Sequence, residues 1–203
     1  MKNLIDRVRE EQLSAEVAVV ISSVANVVGL QHAEKESIPV EIVERCHYES
    51  LTEFSEANFD VCRAACADYA VLAGYLRRLE IPGDFEHRVL NIHPSLIPSF
   101  CGKGYYGNIV HSKALEYGVK VSGCTVHFVD QEYDTGPIIL QKAVDVYEGD
   151  TANTLNDRVF AAECQAYPEA IELLAQGRVS VKGRIVKIAP PKEANRGSDD
   201  IDF

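Results

Sequence analysis

Three polar residues, Asn91, His93 and Asp134, have types and a spacing that suit acid–base and oxyanion chemistry. Asn91 and His93 are two positions apart, so on a strand their side chains point to the same face. Pro94 and Pro98 follow and force the chain to leave the strand in an extended conformation. Asp134 lies further along, in the turn sequence Asp-Thr-Gly-Pro. We therefore expect Asn91 and His93 to face a ligand at the open end of a buried strand.

This set of side chains fits the direct transfer of an acyl or formyl group. An amide can hold a carbonyl oxygen as it becomes an oxyanion. An imidazolium adds charge and donates a proton, while a nearby carboxylate raises the histidine pKa and helps to remove a proton from an attacking amine. No serine or cysteine lies in a recognisable nucleophile elbow, which favours transfer without a covalent intermediate. A structural interpretation stays open, because a lone histidine is often a packed residue.

Hydrophobic periodicity predicts the elements that position these residues. Helices are expected over residues 3–13, 28–36, 51–68, 111–117 and 153–175, and strands over 17–20, 40–43, 69–75, 88–93, 124–129 and 138–146, with a hairpin over 179–188. This alternation predicts an α/β fold with a largely parallel twisted sheet and helices on both faces. Such sheets bind ligands at the carboxyl ends of their strands. We expect one domain over residues 1–189 and a disordered acidic tail over 190–203.

The composition restricts the partners and the compartment. The net charge of -11 at pH 7 argues against nucleic acid or an anionic membrane as the main partner. No apolar run reaches the roughly 20 residues that cross a bilayer. The six cysteines are scattered without a Cys-x-x-Cys pair. We therefore expect reduced thiols in a cytoplasmic protein, with no zinc or other metal.

Three further features allow more than one interpretation. Residues 102–107 match the dinucleotide pattern G-x-G-x-x-G, but they follow a proline-rich loop and not a first strand. A flexible substrate loop is therefore the better interpretation. His127 alternates with Val126 along its strand and is as compatible with packing as with a site. Arg77 and Arg78 can hold a carboxylate or lie in solvent.

Three longer motifs resemble those of the phosphoribosylglycinamide formyltransferase family. They are VLNIHPSLIP at residues 89–98, GCTVHFVD at 123–130 and DTGPIILQ at 134–141. The resemblance implies a Rossmann-like formyltransferase fold. It also implies transfer of a formyl group from the co-substrate 10-formyltetrahydrofolate to the amino group of glycinamide ribonucleotide in de novo purine (IMP) biosynthesis. The expected partners are these small molecules, and the expected assembly is a monomer or a homodimer.

The same resemblance assigns roles to the first three residues. Asn91 would contact the formyl group of the folate, His93 would be the proton donor, and Asp134 would raise the histidine pKa. These implied roles agree with the chemistry expected from the side chains themselves.

Binding roles also follow from the resemblance. The backbone of the segment after the third predicted strand would meet the folate pterin, at Leu76, Arg77, Arg78 and Leu79. Glu163 on the long helix and Asn3 near the start would bind the ribonucleotide. Arg78 stands where the family more usually has an apolar residue.

One departure from the family concerns the start of the sequence. The family opens with a strand and a Gly-rich turn that leads into Ser-Asn-Leu at a helix N-terminus, where backbone N–H groups bind the substrate phosphate. Here Asn3 and Leu4 match that motif, and the preceding strand and glycines are absent. We expect this to lower phosphate affinity and stability, through either a late start or a natural short form.

Three alternatives share parts of the pattern. A formyltetrahydrofolate deformylase is disfavoured because its motif has histidine where Pro94 stands. A methionyl-tRNA formyltransferase is disfavoured by the charge of -11 and by the lack of a following RNA-binding domain. A truncated, non-catalytic folate-binding form is the third. It would bind folate but not the ribonucleotide.

Overall fold

The computed structural model describes residues 1–191, and the rest of the predicted acidic tail lies outside the described residues. Its helices are α1 Lys2–Arg9, α2 Val28–Lys35, α3 Leu51–Ala64, α4 Asn108–Tyr117 and α5 Ala152–Ala175. Its strands are β1 Val20–Ser22, β2 Val40–Ile42, β3 Ala70–Leu72, β4 Val89–His93, β5 Val121–Phe128, β6 Ile138–Asp145, β7 Val179–Lys182 and β8 Ile185–Ile188. Every predicted element is present, with ends that differ by a few residues.

The strands form a mixed α/β fold, as predicted. A four-stranded sheet has the order β3-β4-β5-β6, and β1 and β2 form a separate pair. β1 pairs with β2 in parallel across helix α2, and β3 pairs with β4 in parallel. β5 and β6 add to this sheet in antiparallel fashion. The chain reaches β5 through a long segment that contains α4, and a short connection then joins β5 to β6. The parallel pairing thus consists of two separate pairs, β1 with β2 and β3 with β4.

Helices cover both faces of strand β4. Val89 packs in a cluster with Phe54 and Phe59, both of which lie on α3. The next residue, Leu90, packs with Leu155 and other residues of α5 in a second cluster. Successive side chains of a strand point to opposite faces, so these two clusters lie on opposite sides of the sheet. Strand β4 is therefore held between two hydrophobic layers.

The segment after β4 is fixed by a buried threonine on the neighbouring strand. The Thr125 hydroxyl donates to the Ser95 carbonyl oxygen at 2.7 Å and accepts from the Ile97 N–H at 3.1 Å. Gln141 Nε2 also donates to it, at 2.9 Å. These bonds hold the chain as it leaves the end of β4, beside His93.

Within residues 1–191, no helix combines the length and the hydropathy that a bilayer crossing requires. All six cysteines are free thiols in this part of the chain.

Candidate active site

The structure brings Asn91, His93 and Asp134 together at the carboxyl end of β4. Asn91 and His93 lie on one face of this strand, and Asp134 reaches them from the connection between β5 and β6. His93 Nδ1 is 3.5 Å from Asp134 Oδ2, and Asn91 Nδ2 is 3.5 Å from Asp134 Oδ1. His93 is 4% exposed, so the cluster opens to solvent mainly through Asn91 and Asp134.

The turn that carries Asp134 needs its glycine. Asp134 has a φ of 57°, in the left-handed region that Asp tolerates better than most residues. Two residues later, a Cβ on Gly136 would lie 1.8 Å from the Phe128 carbonyl oxygen. Only a residue without a side chain allows this approach of turn and strand. The Asp-x-Gly spacing is thus a packing requirement that places the carboxylate.

The loop after β4 supplies two backbone contacts to the same cluster. His93 Nε2 is 2.9 Å from the Phe100 carbonyl oxygen, and the Gly102 N–H donates to Asp134 Oδ2 at 2.8 Å. A carbonyl oxygen can only accept, so Nε2 of His93 carries a proton in either charge state. The residues interpreted from sequence as a flexible substrate loop therefore include one direct partner of the site, Gly102.

Opposing effects set the pKa of His93. Burial of the ring lowers this pKa, while the charge of Asp134 and the Phe100 carbonyl oxygen raise it. Burial dominates, and His127 adds to it, so the pKa of His93 lies below its ordinary value. Asp134 acts in the predicted direction. The expectation that the charged form of His93 is favoured is nevertheless wrong for the free chain, because the ring is desolvated.

Asp134 shows the opposite balance. Burial would raise the pKa of its carboxyl, but the approach of His127, the charge of His93 and the Gly102 N–H outweigh burial. The pKa of Asp134 therefore lies below its ordinary value, and the carboxylate is ionised at neutral pH. A neutral imidazole beside an ionised carboxylate is ready to accept a proton.

His127, which the sequence left undecided, lies at the centre of the cluster. It is 1% exposed and pairs directly with Asn91 across the sheet. Its Nδ1 is 2.7 Å from the Phe128 carbonyl oxygen and its Nε2 is 3.3 Å from Asn91 Nδ2. A carbonyl oxygen can only accept, so Nδ1 donates to Phe128, while Nε2 faces both the Asn91 amide and, at 3.6 Å, Asp134 Oδ1. The sequence signal that could have placed His127 in the site is the alternation of polar and apolar residues that β4 and β5 share.

The predicted folate segment forms a loop after β3 that is tied to the Asp134 connection. Arg78 Nη2 donates to the Gln131 carbonyl oxygen at 3.0 Å, and Gln131 Nε2 donates to the Ile81 carbonyl oxygen at 3.0 Å. Leu79 is buried in the core, whereas Leu76 is 70% exposed. A cleft of about 520 Å³ opens beside these loops, lined by Arg78, Lys103, Glu132, Tyr133 and Thr135. Arg78 and Lys103 give this cleft two positive charges, and Glu132 gives it one negative charge.

The predicted ribonucleotide residues lie where α1 meets α5. Asn3 Nδ2 donates to the Cys164 carbonyl oxygen at 2.9 Å, next to Glu163 on α5. Burial raises the pKa of Glu163 to about 7, and the charge of the Met1 amino group offsets only part of this. Burial and then the charge of Glu163 raise the pKa of the Cys124 thiol on β5 to about 12, so Glu163 faces the sheet. Its carboxyl is a desolvated acceptor.

Similarity to known proteins defines the class of this fold and site. A family model described as formyl transferase matches residues 1–171. The solved structure of glycinamide ribonucleotide transformylase 1 from Symbiobacterium toebii superposes with a TM-score of 0.87 at 43% identity, over 93% of this chain and 88% of that one. The chain therefore belongs to the formyl transferase family.

Within that family, several of the similar proteins are named phosphoribosylglycinamide formyltransferase. The phosphoribosylglycinamide formyltransferase of Anaplasma phagocytophilum has a TM-score of 0.81 at 36% identity, over 94% of this chain and 90% of that one. The human trifunctional purine biosynthetic protein adenosine-3 is 43% identical over 95% of this chain. The chain spans 19% of that human relative, which is a much longer protein.

Proposed function

We propose that this protein transfers a formyl group from 10-formyltetrahydrofolate to the amino group of glycinamide ribonucleotide, a step of purine (IMP) biosynthesis. The observation that carries the proposal is the cluster of Asn91, His93 and Asp134 at the end of β4. Relatives named for this reaction support it. The substrates are small molecules, in keeping with the family.

In the proposed reaction, the substrate amine attacks the formyl carbon and the carbonyl oxygen becomes an oxyanion. Asn91 donates through its amide to this oxygen. Its contacts of 3.3 Å to His127 and 3.5 Å to Asp134 are long for hydrogen bonds, so the amide is free to bind a better acceptor.

The proton of the amine passes to His93, which is neutral in the free chain. The imidazolium that forms is stabilised by Asp134 and by the Phe100 carbonyl oxygen. It then gives the proton to the folate nitrogen as the C–N bond to the formyl carbon breaks. The charge on His93 thus appears beside the oxyanion when it is most needed.

The proposed binding roles belong to two regions, the loop after β3 for the folate and the contact of α1 with α5 for the ribonucleotide. The backbone of Leu76, Arg77, Arg78 and Leu79 holds the folate ring, beside the cleft that contains Arg78. Glu163 accepts hydrogen bonds from the ribonucleotide, for which its desolvated carboxyl is suited. The first turn of α1 lies beside it, and its N–H groups, including that of Asn3, are suited to an anion.

A steady-state assay of formyl transfer tests the catalytic roles. We expect His93→Ala and Asp134→Asn each to lower kcat by about 100-fold or more, the usual loss when a preorganised group is removed. His32→Ala, on helix α2, serves as the control and should keep kcat. Full turnover by either site variant would refute the mechanism.

The choice of acceptor separates this proposal from its rivals. Glycinamide ribonucleotide, methionyl-tRNA and water are compared under the same conditions with formyltetrahydrofolate. We expect transfer to the ribonucleotide, whereas preferential release of formate would indicate a deformylase. Calorimetry with folate and with the ribonucleotide tests the non-catalytic alternative, which requires folate affinity without ribonucleotide affinity. A cytoplasmic location and a monomeric or homodimeric state stay predictions.

A further inference from the structure

A cluster of metal-ligating side chains follows strand β2, in a part of the molecule that the proposed reaction does not use. It comprises Glu44, Cys46 and His47, on and just before the 3₁₀ turn Arg45–His47. One ligand atom of each residue lies within 4.8 Å of the other two. Cys46 and His47 are exposed, so a cation from solvent can reach both.

The ligand types and distances fit zinc. Zinc binds thiolate sulfur at about 2.3 Å and histidine nitrogen or carboxylate oxygen at about 2.0–2.1 Å, in tetrahedral geometry. That geometry places ligand atoms about 3.5 Å apart, which follows from these bond lengths. Glu44 Oε2 and His47 Nε2 are already 3.8 Å apart. Small rotations of two exposed side chains close the remaining gap.

The surroundings of Glu44 favour this arrangement. Its Oε1 accepts from the Ala25 N–H at 3.3 Å, which orients the carboxylate and leaves Oε2 for a ligand. Such outer hydrogen bonds hold metal ligands in place. The neighbouring Arg45 is turned to other partners, since its guanidinium donates to the Tyr48 carbonyl oxygen at 2.6 Å and lies 5.9 Å from the centre of the Phe54 ring.

We propose that Glu44, Cys46 and His47 bind one thiophilic divalent cation of the zinc class, with water at the fourth position. Binding releases the thiol proton of Cys46, because the thiolate is the ligand. The bound cation links the turn after β2 to the loop after β1, through Glu44 and its bond to Ala25. A thiolate, a carboxylate and a neutral imidazole neutralise the two charges of the cation. The expectation of no zinc rested on Cys-x-x-Cys spacing, which does not detect a mixed ligand set.

Cobalt titration of the full chain tests the site, because a thiolate bound to Co²⁺ gives a near-ultraviolet charge-transfer band. We expect the reduced, metal-free protein to show this band with one equivalent of Co²⁺ and to lose it when Zn²⁺ displaces cobalt. Cys46→Ser should abolish the band. His47→Gln and Glu44→Gln should weaken Zn²⁺ binding, measured against a chelator, by about 10-fold or more.

Cys66→Ser is the matched control, because Cys66 is also an exposed free thiol but lies outside the cluster. This variant should keep the band and the affinity. A band that persists in Cys46→Ser, or that Cys66→Ser removes equally, would overturn the proposal, as would zinc affinity unchanged by His47→Gln and Glu44→Gln. The substituted side chains are solvent-accessible, and circular dichroism checks that each variant is folded. The outcome does not depend on formyl transfer.

Discussion

Glu163 gives the molecule a measurable dependence of stability on pH. Burial raises the pKa of this carboxyl from its ordinary 4.5 to about 7. Between these pH values the unfolded chain releases the proton while the folded chain keeps it. Stability therefore falls as pH rises from about 4.5 to about 7 and then levels off. The replacement Glu163→Gln is neutral at every pH and should not show this loss.

The size of the effect follows from the two pKa values. A difference of about 2.5 pKa units, at about 1.4 kcal/mol each, corresponds to about 3 kcal/mol. Because Glu163 keeps some contact with solvent, screening reduces this, and we expect about 2 kcal/mol. Urea unfolding should give similar free energies for the two proteins at pH 5. At pH 8 the Glu163→Gln variant should be the more stable by about 2 kcal/mol.

Asp157→Asn is the control for this experiment, because Asp157 lies on the same helix and is exposed. Its stability should follow that of the unmodified chain at both pH values. If the difference between Glu163→Gln and the unmodified chain were the same at pH 5 and pH 8, the carboxyl would not be the titrating group. Burial of Glu163 would then not control the dependence of stability on pH.

Three further predictions concern the site and its supports. Gly136→Ala would place the new Cβ 1.8 Å from the Phe128 carbonyl oxygen and should therefore displace that oxygen. We expect a lower kcat and a lower midpoint of thermal unfolding. An unchanged midpoint in calorimetry would contradict the close approach of Gly136 to Phe128. Thr125→Val should lower the free energy of unfolding by about 3 kcal/mol, because it leaves buried backbone groups of Ser95 and Ile97 without partners. Chemical denaturation measures this loss. A difference below about 1 kcal/mol would count against the importance of these hydrogen bonds. NMR titration of the His93 ring should give a pKa below 6.5, and a still lower pKa in Asp134→Asn. Because the pKa is depressed in the folded state, His93 reduces the stability of the fold only as pH falls below 6.5. A measured pKa above 6.5 would disprove the dominance of burial.

The sequence predicted those parts of the site that depend on residues close together in the chain. Asn91 and His93 were found because two positions on one strand share a face and prolines mark the strand end. His127 was not assigned, because its position opposite Asn91 depends on the pairing of strands distant in sequence. The effect of Asp134 on the pKa of His93 was predicted in the right direction, but the larger and opposite effect of burial was not, since the degree of burial depends on the whole fold.

Backbone partners carry no side-chain signature, and for that reason the contacts from the loop after β4 were missed. The Phe100 carbonyl oxygen and the Gly102 N–H belong to groups that every non-proline residue has. The antiparallel direction of β5 was also hidden, because an apolar run reads alike in either direction. The elements themselves followed well from periodicity and turn residues.

The same two backbone bonds have a consequence for how the loop can change over generations. Since His93 and Asp134 bind main-chain atoms of this segment, side chains such as those of Lys103, Tyr105 and Tyr106 can be exchanged without altering the groups that the cluster meets. Gly102 and Gly104 cannot be exchanged in the same way, because their φ values of 91° and 94° favour glycine. Substitutions in this stretch can therefore adjust the adjoining cleft, where Lys103 lies, while the proposed catalytic groups keep their positions. The loop is a place where ligand preference can evolve separately from the chemical step.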